Sequence, residues 1–347
     1  MRVTVCGAGP AGLGIAACLL SRGHSVFLYD MPEYGDRIRP FQQDPSIRCT
    51  GKLVHSGRLA GASTDPAEAL READAIFLVT HAAAHQRLAR LFAGHLREGQ
   101  VVVMCPGYVG GGLAFTAALQ EAGSGVLPPF AEASSLPIIS QMAGPGEVSI
   151  TGWKRNFLLY RPLELDEHPA VQWFYDLYSP LQTSRHPLEP GLNEINFIVH
   201  AVVSLLNAST VEHGQPWTFY RSGLCPAIMK VIEAIDQERT QLEEALGLVP
   251  HRLTDLLFAF YKDQGMSHGS LYEQLSTFEP FAKVPGPLDF SSRFISEDLC
   301  YGLVPMAWLG QLSGLPMEYT NLVIRLATAY TGMDYRETGR RFLQIPS

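Results

Sequence analysis

Residues 5–30, VCGAGPAGLGIAACLLSRGHSVFLYD, decide the fold. Residues 13–20 are apolar and Arg2 supplies a positive charge, the outline of a secretory signal. The punctuation of the stretch says otherwise. A β-rich run, Val3-Thr4-Val5-Cys6, leads into Gly7-Ala8-Gly9-Pro10-Ala11-Gly12. A small-residue helix then reaches Ser21-Arg22-Gly23, and a second run, Val26-Phe27-Leu28-Tyr29, ends on Asp30. Strand, glycine turn, helix, strand and acid form the dinucleotide-binding pattern, in which each piece has a physical task. Gly7 permits the tight turn, Gly9 lets the backbone approach a pyrophosphate, and Gly12 lets the helix pack close to the sheet. Pro10 and Ala11 open the helix, whose free N–H groups and partial positive charge favour phosphate. Asp30 is placed to accept hydrogen bonds from a ribose diol, and a carboxylate there favours NADH by repelling a 2′-phosphate. Arg37 and Arg39 follow in the next loop and leave NADPH open.

Working outward, Asp65-Pro66 through Ala73 reads as a capped helix and residues 75–79 as a strand. A helix near 83–95 and a strand over 101–104 come next. This alternation predicts an α/β fold: a Rossmann-type parallel sheet domain followed by an all-helical domain. Ligands of such sheets bind beyond the carboxyl ends of the strands, where Thr80, Pro106, Gly107 and Ser135 fall. These join Gly7, Gly9, Pro10, Ala11, Gly12 and Asp30 as the expected coenzyme-binding residues. His81 and His85 lie nearby without a partner in the local pattern and read as incidental or cofactor-adjacent. Glycines 107, 110, 111 and 112 would bring the chain close to the nicotinamide and start the next helix, or form a second phosphate loop. Residues 136–161 look like further strands, and a helix near 168–178 precedes SRHPLEPGLNE, whose prolines and glycine mark a boundary. The expected division is a dinucleotide-binding domain over 1–187 and a helical substrate and catalytic domain over 188–347.

The bulk numbers bound the rest. A chain of 347 residues is long enough for two cores, and no uninterrupted apolar stretch approaches a membrane span. A formal charge of −8 argues against a nucleic-acid partner, which needs a basic face. Six cysteines without C-x-x-C spacing read as reduced, packed thiols, so a cytoplasmic, metal-free protein is expected.

The second domain opens on LNEINFIVHAVVSLLNASTVEHG, apolar almost all round and therefore a helix buried on most sides. Asn193, Asn196, His200 and Asn207 interrupt it. Asn193, His200 and Asn207 are spaced to share one face, with Asn196 one turn before His200. Buried polar groups need partners, so the strip reads either as satisfied core or as a functional face. Downstream, Arg293, Glu297 and Asp298 precede Gly302-Leu303-Val304-Pro305; local pattern alone reads them as a capping cluster with an exposed arginine. In PWTFYRSGLCP, Trp217, Phe219 and Tyr220 either pack two helices or line an apolar substrate pocket.

Taken together, PGYVGG, EASSLP, NEINFIVHAVVSLLNAS, RFISEDLCYGLVPMAWLG and GMDYRETGR resemble the opine dehydrogenases, nearly end to end. The two helical stretches are the specific ones, since glycine fingerprints occur in many unrelated oxidoreductases. The resemblance implies that His200 and Asp298 form a catalytic pair with Arg293 beside them. It also implies NAD(P)H-dependent reductive condensation of an amino acid's amine with an α-keto acid, pyruvate by family expectation. Imidazole, with an unperturbed pKa of roughly 6.5, suits the proton transfers of such a reaction. Asp298 would fix its tautomer, and Arg293 would bind a substrate carboxylate through paired hydrogen bonds. Asn207 and Tyr220 are further substrate candidates. An exposed apolar helix face in the second domain would support a homodimer.

Two other functions fit parts of the pattern. One is oxidation of a hydroxyl substrate on the same two-domain plan, which in related enzymes relies on a lysine that the stretch 192–211 lacks. The other is a non-catalytic sensor of NAD(H).

Overall fold

The computed structural model describes residues 1–345. The chain divides into two compact units, Met1–Pro190 and the remainder from Gly191 onward, where the sequence suggested 187/188. Among the described residues the strands are β1 (Arg2–Cys6), β2 (Ser25–Tyr29), β3 (Ser46–Gly51), β4 (His55–Arg58), β5 (Gly61–Ser63) and β6 (Ala75–Leu78). They continue with β7 (Val101–Met104), β8 (Phe130–Ala133), β9 (Ile138–Gly144), β10 (Glu147–Trp153), β11 (Leu158–Tyr160) and β12 (Gln182–Ser184).

The main sheet has the order β12-β11-β8-β7-β6-β1-β2-β5. From β5 across to β8 every pair is parallel; β11 pairs antiparallel with β8 and β12 pairs parallel with β11, so these two strands run opposite to the rest. All residues of β6 and β7 are buried, as a sheet covered on both faces requires. Side chains alternate between those faces. Ile76 and Leu78 join Leu88, Phe92, Phe115 and Leu119 of the helices His85–Phe92 and Gly111–Glu121. Phe77 points the other way, edge-on to Trp173 of the helix Pro169–Tyr178 at 5.4 Å between centroids.

A second sheet, β4-β3-β10-β9, was not foreseen as a separate layer. It lies against the glycine-turn helix, Pro10–Ser21: a Cβ on Gly14 would fall 2.4 Å from Ile138 Cδ1, and Ser140 Oγ donates to the Pro10 carbonyl at 3.0 Å. That helix is therefore buried between two sheets, which explains why it is apolar nearly all round.

Among the described residues the second unit is helical, with one isolated bridge between Thr218 and Pro285. Its buried helix runs Asn196–Leu206 and ends at Asn207. Ahead of it the chain turns, so Asn193 lies outside the helix and the strip of four polar residues inferred from periodicity does not form. Asn193 instead donates to Glu243 at 3.1 Å, beside fully buried Arg239. Asn196 donates its backbone and side-chain N–H groups to Glu194.

Candidate coenzyme and catalytic sites

In the first unit the glycine turn joins β1 to its helix. Gly7 has a φ of +111°, and a Cβ there would fall 2.3 Å from the Val79 carbonyl oxygen, so only glycine fits. At Gly12 a Cβ would fall 1.7 Å from the Gly7 oxygen. Gly9 differs: a Cβ there would meet nothing within 4 Å. Two glycines are thus required by packing, and the third keeps an approach to the backbone open. Pro10 opens the helix and no side chain caps it, leaving its first N–H groups directed at that opening. The Thr80 hydroxyl, buried after β6 and against Gly7, has no hydrogen-bond partner. An open glycine face, an uncapped helix start and an orphaned hydroxyl fit a dinucleotide phosphate.

Asp30 follows β2 and is only 3 % exposed. Its Oδ2 accepts from the Ala8 amide and its Oδ1 from the Met31 amide, both at 2.9 Å. Burial pushes its carboxyl above the usual range, against the opposing pull of those amides and of Arg37. The acid therefore braces the glycine turn, and its remaining lone pairs are what a ribose would engage. Arg37 lies over the Tyr34 ring, and Arg39 pairs with Asp36 at 2.8 Å.

Pro106 and Gly107 follow β7, and Ser135 follows β8 and accepts from Lys154 Nζ at 2.7 Å. A residue missed at the level of sequence is Glu132, fully buried on β8, whose Oε2 accepts from the Gly112 amide at 2.9 Å. A Cβ on Gly107 would fall 2.5 Å from that carboxyl group, and one on Gly112 would strike Phe130 at 2.0 Å. These two glycines serve close packing against β8. His85 is buried as the first residue of its helix, and His81 is exposed just ahead of it.

In the second unit, His200 and Asp298 meet although 98 residues separate them: Nδ1 lies 2.9 Å from Asp298 Oδ2. The carboxylate side is 2 % exposed and the histidine side chain 11 %. The helix Arg293–Asp298 delivers both Phe294 and Asp298, four positions apart and so on one face. Phe294 stacks on the imidazole at 4.1 Å and 15°, while Asp298 takes its edge. A π-helical turn, Leu299–Leu303, follows at once and leads into the helix Val304–Leu312. Such turns are rare and cluster at functional sites.

Tyr220 completes the arrangement, its hydroxyl 3.3 Å from His200 Nε2 and its ring stacked on Phe281 at 4.6 Å. Burial drives the phenol well above its ordinary pKa, and Tyr261, Asp298 and Glu194 add to that. The segment bearing Tyr220 is tied down on several sides. Trp217 Nε1 donates to the Pro287 carbonyl at 2.9 Å, and the Phe219 amide donates to Val284 at 2.8 Å. Asn207 donates its amide to the carbonyls of Val203 at 2.8 Å and Gly223 at 2.9 Å, so it staples the end of the histidine helix to this segment. Arg293 is more open: its side chain is 59 % exposed, 3.8 Å from Glu297, with the guanidinium 5.4 Å from the Phe294 ring centre.

An ionised carboxylate only accepts hydrogen bonds, so Asp298 holds the imidazole with its proton on Nδ1 and leaves Nε2 as the basic nitrogen. Such an arrangement can take up and give back a proton at Nε2, and a guanidinium such as that of Arg293 can bind a carboxylate. Residues 183–331 match the model described as NAD/NADP octopine/nopaline dehydrogenase, alpha-helical domain. The chain is 27 % identical to an opine dehydrogenase of Arthrobacter sp. (strain 1C) over 97 % of its own length and 92 % of that protein's. Among solved structures, octopine dehydrogenase in complex with NADH and agmatine superposes with a TM-score of 0.80 at 18 % identity, covering 98 % of this chain and 93 % of that one. NADP+-bound yersinopine dehydrogenase does so with 0.77 at 16 % identity, over 98 % and 94 %. Sequence, fold and family model converge on the octopine/nopaline dehydrogenases: residues 183–331 match the family's alpha-helical domain, the chain is similar to opine dehydrogenases over nearly its whole length, and it is an NAD(P)-dependent oxidoreductase.

Proposed function

We propose that this enzyme joins the α-amine of an amino acid to an α-keto acid, pyruvate first among them, and reduces the product to an N-carboxyalkyl amino acid. The observation that carries this reading is the contact between His200 and Asp298. Nε2 of His200 removes a proton from the incoming ammonium, making the amine nucleophilic. The amine adds to the keto carbon, and the same nitrogen returns that proton to the oxygen and then carries a second one to it from the nitrogen of the adduct, so that the oxygen leaves as water and a protonated C=N bond remains. Asp298 stabilises the imidazolium formed between these events and keeps the ring's tautomer. Arg293 holds a substrate carboxylate with its guanidinium fork.

The nicotinamide coenzyme, when bound, supplies the hydride that reduces the C=N bond. Gly7, Gly9, Pro10, Ala11 and Gly12 would hold its pyrophosphate, and Asp30 its ribose. Thr80, Pro106, Gly107 and Ser135 lie beyond the strand ends where the rest of it binds in such sheets. The Asp30 carboxylate, together with Arg39 being occupied by Asp36, supports NADH as the preferred form.

The test crosses a panel of amino acids with pyruvate, glyoxylate and 2-oxoglutarate, with NADH and NADPH in parallel, and follows loss of the reduced coenzyme. Oxidation that requires both an amine and a keto acid supports the reading. Turnover with a keto acid alone, or none with any pair, contradicts it.

A further inference from the structure

Both nitrogens of His200 have partners. Asp298 takes Nδ1, and the Tyr220 hydroxyl lies 3.3 Å from Nε2, the nitrogen assigned above to the proton transfers. The two partners act in opposite senses. Asp298 favours the imidazolium through its charge. The phenol favours the neutral ring, because only a neutral Nε2 has the lone pair that an O–H can donate to. Were Nε2 protonated, it would point its own hydrogen at the phenol oxygen, and the phenol's proton would have to turn away. The rings of Phe219, edge-on at 4.9 Å, and Phe281, stacked, flank the phenol. Turning the proton away would cost the hydrogen bond to Nε2.

We propose that Tyr220 is a positioning residue that holds His200 by Nε2, opposes the pull of Asp298 on the imidazole and directs the nitrogen that takes the amine's proton. The surrounding framework supports that task. Asn207 fastens the segment 219–224 to the end of the histidine helix, so hydroxyl and ring are registered by one staple. Phe294 and Phe219 restrict rotation of the imidazole, and Phe281 restricts the phenol. The phenol keeps its proton throughout, because burial holds it far above its ordinary titration range. Other titratable groups act on this pair from each packed element: Glu194 ahead of the histidine helix, Tyr261 of the helix Leu253–Tyr261, and Asp298. Arg293 pairs with Glu297 on the aspartate helix, and Arg221 reaches Glu279 at 3.6 Å. A Tyr220→Phe change leaves all of them in place.

The kinetic part of this inference rests on the proposed reaction, but its ground-state part does not, and the experiment separates them. The His200 imidazole is titrated by NMR in the intact free protein and in Tyr220→Phe, which keeps the ring stacked on Phe281. The expected result is a His200 pKa raised by about half a unit or more, roughly a threefold gain in proton affinity. The acid limb of the kcat/KM profile should move the same way, with the melting temperature little changed. A His200 pKa that stays put or falls in Tyr220→Phe overturns the inference, whatever the activity. A raised pKa in a protein that turns over no amine and keto-acid pair sustains the inference and refutes the proposed reaction.

Discussion

Gly302 and Phe197 touch where no side chain larger than a hydrogen fits: a Cβ on Gly302 would fall 2.3 Å from Phe197 Cβ. Asp298 lies about one turn before Gly302, and His200 one turn after Phe197. The close approach of these two helices, which run antiparallel at this point, therefore sets the reach from carboxylate to imidazole. Gly302→Ala should force them apart. Overpacking of this kind costs about 1–3 kcal/mol, so the melting temperature should drop by several degrees, and kcat should fall with it. Thermal unfolding and steady-state kinetics check this together; an unchanged kcat would show that the spacing is not set here.

The three glycines of the nucleotide turn should behave differently. Gly9→Ala has room and an ordinary backbone conformation, φ −82°, so it should fold normally and lose affinity for the coenzyme. Gly12→Ala would drive a methyl into the Gly7 carbonyl and should fail to fold, or melt far lower. Melting curves with and without NADH distinguish the two: a Gly9→Ala protein should lose the coenzyme-induced rise in melting temperature while its unliganded value stays near wild type.

Asp30 has a structural task besides the coenzyme. Asp30→Ala removes the acceptor for the Ala8 amide, and an unpaired buried amide costs about 1–3 kcal/mol. The variant should be less stable, and its ratio of kcat/KM for NADH over NADPH should narrow, because the carboxylate that repels a 2′-phosphate is gone. A ratio equal to wild type would separate Asp30 from coenzyme choice.

Much of this was legible in the chain. The strand-turn-helix-strand-acid unit is local, written within 28 consecutive residues from Val3 to Asp30, and two of the turn's three glycines, Gly7 and Gly12, have a steric reason visible in the turn itself. The meeting of His200 and Asp298 is not local; spacing alone suggested a capping cluster around Asp298, and only resemblance joined it to the histidine. The polar strip failed at Asn193 because a helical period was extended through a turn, and that asparagine serves the buried Arg239–Glu243 pair instead. The sheet of β3, β4, β9 and β10 went unseen as a layer because SIRCTG and HSGR are short, polar and half exposed, with little alternation to read. Tyr220 was visible only as an aromatic in a pocket or a packing seam. Its reach to Nε2 depends on the staple from Asn207 and on the bridge at Thr218, which are tertiary facts.

The proposed role of His200 is to carry the proton transfers under the direction of Asp298. Its most direct measurement is kcat/KM for the amine and keto-acid pair in His200→Ala and Asp298→Asn, beside the dissociation constant for NADH. The expected outcome is a loss of about 10²–10⁴-fold for His200→Ala, a smaller loss for Asp298→Asn, and unchanged coenzyme affinity in both. Near-normal turnover by His200→Ala would contradict it.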